Sequence, residues 1–245
     1  MSDVSKQMII CPHCHRTSFF NIWSSINTKT NPATYSQVRS LSLFTFRCPY
    51  CDRTEIIRYP FLYHQMENSL MIYYQPEEDA IAETKKMFEE INGDVSDGNA
   101  SEGGSDDIPS VQQLLENALA GYCYRIVRTH EEFLEKLAVF DAGLDDRLVE
   151  ITKVIVGAQA ERKLSEYGFR VKNARFLYDR ESHEMKIVFF DKNSSQTATT
   201  AFDRHIANIY NQAIDRYSQA LLGTQKKDML IDWNWASDFL KNATQ

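Results

Sequence analysis

No stretch of apolar residues approaches the roughly 20 that a bilayer-spanning helix needs. The opening run, Met1-Ser2-Asp3-Val4-Ser5-Lys6-Gln7, leads into only three apolar residues, Met8 to Ile10. A secretory leader requires a longer apolar segment behind a basic start, so the expectation is a cytoplasmic protein with no membrane partner. Local catalytic signatures are missing too: there is no Gly-x-Ser-x-Gly, no phosphate-cradling glycine loop and no His-Glu-x-x-His. Strong charge of one sign is confined to one place. Residues 1–76 carry seven basic and four acidic groups, residues 110–245 eighteen and nineteen, whereas residues 77–109 carry two and eleven. The N-terminal excess of +3 is too small for an electrostatic footprint on nucleic acid. What remains, 43% apolar and 12% aromatic over 245 residues, is enough to build a folded core and excludes a disordered or collagen-like chain.

Cysteine is the informative residue. Four of the five lie in two matching frames, Cys11-Pro12-His13-Cys14 and Cys48-Pro49-Tyr50-Cys51. Where thiols are kept reduced, such pairs point to metal binding or redox catalysis rather than disulfides. A Cys-x-x-C loop turns two thiolates to one side, and two loops facing each other supply the tetrahedral sulfur set that zinc prefers. One structural zinc held by Cys11, Cys14, Cys48 and Cys51 is therefore expected. Redox chemistry is the competing reading, because the same strings occur where a helix N-terminus activates the first cysteine. The residues after Cys14 lack a helical period, however, and those after Cys51 read as a strand. Zinc knuckles usually place glycine after the second cysteine, where the backbone turns left-handed; here His15 and Asp52 must adopt that turn. His13 and His15 are read as exposed loop residues rather than ligands, since four cysteines already close a structural site.

The pattern divides the chain into a β module over 7–76, a helix over 77–92, an acidic glycine-bearing linker over 93–108 and a helix-rich α+β domain over 109–245. In the module, Gln7–Ile10, Thr17–Asn27, Leu41–Phe46, Thr54–Arg58 and Leu70–Tyr74 read as strands. The overall class is α+β, with an antiparallel zinc-ribbon-like module first. After the linker the pattern predicts a helix to about Ala120, a strand over Tyr122–Arg128 and a helix from the Thr129-x-x-Glu132 capping box to Ala142-Gly143. A helix capped by Asp145 follows, then a hairpin near 171–190, an amphipathic helix over Phe202–Leu222 and a packed end carrying Trp233 and Trp235. Cys123 is read as a small buried group, Asp145 and Asp146 as a helix start rather than a carboxylate pair, and the two tryptophans as anchors. His130, His183 and His205 are scattered and form no acid–base pair by spacing.

At the two knuckles and along Tyr59-Pro60-Phe61-Leu62-Tyr63-His64 the sequence resembles the CpXC-domain family of bacterial and archaeal proteins, most closely over 8–76. Gln65 stands where members of that family often have Asp. The Phe140–Lys153 segment is similar as well. The resemblance implies only the four cysteines as zinc ligands, since the family carries no assigned activity. The functional expectation is a non-enzymatic zinc-stapled adaptor for a protein partner. One alternative is nucleic-acid binding through Arg16, Lys29, Arg39, Arg47, Arg53 and Arg58 interleaved with Phe19, Trp23, Phe44 and Tyr50. The other is thiol–disulfide exchange at Cys11 or Cys48.

Overall fold

The computed structural model describes residues 2–93, 121–222, 224 and 228–243. It divides into two compact units, Met1–Thr129 and His130–Gln245, each mixing strands with helices, so the class is α+β. The expected linker, apart from its first residue, and the helix expected up to Ala120 lie outside the described residues.

The first unit begins with a long hairpin, β1 (Asp3–Ile10) and β2 (Thr17–Asn27), followed by the short α1 (Thr34–Arg39). A second, smaller hairpin is formed by β3 (Thr45–Arg47) and β4 (Thr54–Ile56), and then come β5 (Phe61–Gln65), β6 (Leu70–Tyr74), α2 (Ile81–Gly93) and β7 (Cys123–Val127). The main sheet runs β1-β2-β5-β6-β7. Its core face follows the period-two rule of strands. Phe61, Tyr63 and Gln65 on β5 stand opposite Tyr74, Ile72 and Leu70 on β6, and all six are buried. Phe44 stacks on Phe61 at 4.7 Å between ring centroids, and Phe61 stacks on Tyr74 at 5.1 Å.

Four expectations for this unit need correction. The sheet is mixed rather than antiparallel, because β2 pairs with β5, and β6 with β7, in parallel. The strand expected at Tyr122–Arg128 is present, but it pairs with Leu70–Tyr74 and so belongs to the first unit, which places the division between units after Thr129 and not in the acidic segment. Alternation identifies a strand without naming its partner. The strand expected over Leu41–Phe46 survives only from Thr45, since Leu41 takes a left-handed backbone (φ 57°) and Phe44 turns fully into the core. Lastly, Phe61–Gln65 is a strand in the middle of the sheet although its proline-preceded sequence did not suggest one.

In the second unit, α3 (His130–Asp141) and α4 (Asp146–Leu164) precede a meander of β8 (Val171–Tyr178), β9 (Met185–Asp191) and β10 (Thr197–Ala201). Two helices close the unit, α5 (Arg204–Leu221) and α6 (Trp233–Ala243). The α4 helix packs against β8, α5 and α6. The expected hairpin and amphipathic helix are in place, whereas β10, a run of Thr and Ala, carried no strand signal. Capping chemistry sets the helix starts: Asp145 accepts from the Arg147 N–H at 2.9 Å, and Asp203 from the His205 and Ile206 N–H groups at 2.9 and 3.1 Å. Gly143 ends the connection after α3 with φ 71°. Gly157 is required by packing, because a Cβ there would lie 2.6 Å from Cη2 of Trp233. The core of this unit is conventional, with Ile151, Phe176 and Ile187 fully buried among aliphatic and aromatic neighbours.

Candidate metal centre

Each Cys-Pro-x-Cys frame caps a hairpin: Cys11–Cys14 joins β1 to β2, and Cys48–Cys51 joins β3 to β4. The two turns repeat one hydrogen-bond pattern. The Cys11 N–H donates to the Arg16 carbonyl (3.0 Å) and the His15 N–H to the Cys11 carbonyl (2.9 Å); the Cys48 N–H donates to Arg53 (2.9 Å) and the Asp52 N–H to Cys48 (3.0 Å). His15 and Asp52 sit in the left-handed region at φ 57° and 60°, the conformation that the sequence required of them in place of glycine. At Asp52 the turn is secured by a bidentate pair, Arg47 Nε to Oδ1 at 2.6 Å and Arg47 Nη2 to Oδ2 at 2.7 Å.

The four sulfurs converge. All lie within 4.8 Å of one another, with Cys11–Cys51 at 3.7 Å and Cys14–Cys48 at 3.6 Å. Four thiolates at ~2.3 Å from a tetrahedral ion are about 3.8 Å apart, whereas a disulfide needs ~2.05 Å. Cys11 and Cys48 are buried with Phe46, and Ile9, Phe20 and Ile57 pack around them. The donors suit a thiophilic divalent cation in number, spacing and softness.

Their acidities point the same way. The Cys14 N–H, helped by that of His13 against the effect of burial, holds Cys11 below the ordinary thiol range. Burial is the strongest single influence on Cys48 and pushes its thiol up, but the Tyr50 and Cys51 N–H groups and the neighbouring thiols outweigh it and bring Cys48 down to about 6. At Cys14 and Cys51 a single backbone N–H, from Arg16 and Arg53 respectively, favours the thiolate. Burial and the adjacent sulfurs overcome it, raising Cys14 and pushing Cys51 up to about 12. Four contacting thiols cannot all ionise by themselves, because each new charge opposes the next. A bound cation removes that conflict.

Contacts between the two knuckles hold them face to face. His13 Nε2 lies 2.6 Å from Glu55 Oε1 on β4, and the Arg16 guanidinium sits 5.2 Å from the centre of the Tyr50 ring. The exposed His13 and His15 are outside the sulfur cluster. Sequence reasoning found the four cysteines but not this clamp; the only signal was that His13 and Tyr50 hold the same position in matching frames. The geometry of an exchange-active cysteine is missing. Both of the more acidic thiols, Cys11 and Cys48, are 1% and 0% exposed, and strands rather than helices follow the loops.

The other singled-out residues do not assemble into a site. Cys123 is buried in β7. His183 meets the Tyr178 hydroxyl and His205 the Gln159 side chain, while His130 is buried elsewhere. Asp146 pairs with Lys136 at 3.0 Å. Trp235 donates to Asp228 at 2.9 Å and stacks on Phe239. Of the basic and aromatic set, Phe44 is wholly buried, Arg39 lies 3.6 Å above the Tyr35 ring and Arg47 is taken by Asp52.

A family model described as CpXC protein matches residues 9–153, more than half of the chain. The chain belongs to the CpXC family. The match opens beside Cys11, spans both knuckles and ends in α4, well past the β module. No protein of curated function matches this CpXC protein, and no solved structure does. Among its described residues no helix is long and apolar enough to cross a membrane.

Proposed function

We propose that Cys11, Cys14, Cys48 and Cys51 hold one structural zinc ion, and that the metal-stapled unit is a non-enzymatic module for binding a protein partner. The observation that carries the metal reading is the meeting of four sulfurs from two hairpins, at separations close to the edge of a zinc–thiolate tetrahedron. A tetrahedral set of four thiolates takes zinc or iron, and zinc is favoured because a closed four-cysteine set is its usual structural site. The metal fixes the relative placement of two hairpins whose own packing is slight.

The partner reading rests on the part of the long hairpin that runs past the pairing of β2 with β5 at Ser25–Asn27. On β1 the side chains of Val4, Met8 and Ile10 are 44%, 69% and 66% exposed, and Phe19, directly opposite Met8 on β2, is 61% exposed. These residues alternate onto one face of the ribbon. Tyr50 and Ile56 on the second hairpin are also exposed. A grouped apolar surface is the usual mark of a protein contact. The nucleic-acid alternative has less support, since Phe44 is in the core and Arg16, Arg39 and Arg47 are engaged within the unit.

Elemental analysis of the purified chain, together with Cys48→Ser, tests the metal reading. About one zinc per chain is expected in the native protein, and its loss in the variant. Retention of full metal content by Cys48→Ser would overturn it. Titration with single- and double-stranded oligonucleotides separates the partner classes: micromolar binding with a steep salt dependence would transfer the reading to nucleic acid.

A further inference from the structure

The interface between α3 and α4 contains five charged side chains. On α3, Glu135 and Lys136 are 10% and 5% exposed at the side chain; on α4, Asp146, Glu150 and Lys153 are 2%, 3% and 2% exposed. Charged groups are seldom buried to this degree unless each finds a counter-charge. Lys153 Nζ donates to Glu135 at 2.6 Å and to Glu150 at 2.8 Å. Lys136 Nζ lies 3.0 Å from Asp146, outside good hydrogen-bond angles, and 3.7 Å from Glu150. Glu135 has a further donor in the Phe176 N–H of β8, at 2.7 Å.

Glu150 therefore competes with Glu135 for Lys153 and with Asp146 for Lys136. The carboxylates are not equivalent. Glu135 has two close donors and Asp146 has Lys136 as its own partner at 3.0 Å, but Glu150 shares both lysines with another acid. Its Oε2 is buried and has no hydrogen-bond partner among the described residues. An ionised carboxylate with an orphaned buried oxygen is costly, and neutralisation by a proton is the usual outcome.

We propose that these five residues form a proton-linked lock between α3 and α4, in which Glu150 holds a proton while the helices are packed and releases it when they part. In the separated state water solvates Glu150 and its carboxyl ionises at the ordinary acidity of glutamate. Burial, offset in part by Lys153 and Lys136, raises the packed-state value to about 7. The sign follows from linkage: for a carboxyl whose acidity is lowered by folding, the stabilisation is complete below the unfolded value and is lost as pH rises through the folded one. Packing of α3 on α4 is accordingly weaker at pH 8 than at pH 5.5. The lock concerns the second unit alone and does not depend on the metal reading.

Carbon-13 NMR of the glutamate side-chain carboxyls in the full-length chain tests it. One carboxyl resonance is expected to titrate near neutrality while the others titrate in the ordinary carboxylate range, and that resonance should be absent from Glu150→Gln. In the Trp23→Phe background, where indole fluorescence reports Trp233 and Trp235, the denaturation midpoint should fall between pH 5.5 and 8, and Glu150→Gln should remove most of that fall. If every glutamate of the wild-type chain titrates in the ordinary range, the proposal is overturned, even should Glu150→Gln fail to fold. It is equally overturned if Glu150→Gln folds and keeps the whole pH dependence.

Discussion

The knuckle region and the second unit use opposite means to hold strands and helices in place. Around the knuckles the buried cluster consists of Cys11, Phe46 and Cys48 with a few partly buried neighbours, and β1 is exposed along nearly its whole length. In the second unit Phe176, Phe189, Ile187, Ile151 and Val149 anchor an extensive apolar core spread over three strands and four helices. A small module with so few apolar contacts rarely gains more than a few kcal/mol from its core, whereas a structural zinc site contributes roughly 10–16 kcal/mol of apparent binding free energy at neutral pH. On the proposed metal reading, the contrast teaches where order comes from: ligand convergence in one region, area removed from water in the other.

The largest effect expected from that contrast is selective loss of the knuckles. Chelation or Cys48→Ser should expose the amides of β3, β4 and the tip of the β1–β2 hairpin to hydrogen exchange, while protection in β8 and β9 stays unchanged. The sheet strands β5 and β6 should remain protected as well, because the stack of Phe44, Phe61 and Tyr74 lies outside the sulfur cluster. Uniform loss of protection through both units would break the distinction. The converse perturbation is Phe176→Ala, which removes a fully buried ring and should cost about 3–5 kcal/mol in the second unit with no change in zinc content.

Acidity sharpens the comparison. A four-thiolate site binds its ion only with the cysteines deprotonated, so acid releases the metal and with it the order of the knuckles. Metal content of the native chain should therefore fall as pH is lowered, together with amide protection in β3 and β4. The buried Glu150 of the second unit has the reverse sign, losing stabilisation as pH rises through about 7. Acid should loosen the knuckles and alkali the α3–α4 packing.

The smallest expected effect concerns the turn at Asp52, at φ 60° and paired with Arg47. Asp52→Gly keeps the left-handed turn and should weaken zinc binding less than tenfold. Asp52→Val loses both the turn preference and the Arg47 pair, and should weaken it roughly 10–100-fold, the range typical of groups that support metal ligands. A competition titration with a chromophoric chelator measures both.

The legible parts of this molecule are those whose physics is local. Cysteine spacing announced the sulfur cluster, aromatic, β-branched and apolar composition located β2 and β6, and Asp145 as a cap marked the start of α4. Where partners come from far along the chain, local pattern was silent. The parallel pairing of Leu70–Tyr74 with Cys123–Val127 moved a strand from one unit to the other. Thr197–Ala201 became an edge strand through its pairing with Phe190–Lys186, although its composition resembles a loop. The His13–Glu55 clamp and the five-charge cluster at α3 and α4 were equally invisible, because each joins residues that only the fold brings together.

X-ray absorption at the zinc edge of the native chain examines the central claim most directly. Four sulfur scatterers at ~2.3 Å and no nitrogen or oxygen in the first coordination sphere are predicted. A spectrum showing fewer than four sulfurs, or a purified protein without metal whose four cysteines are reduced, would contradict it.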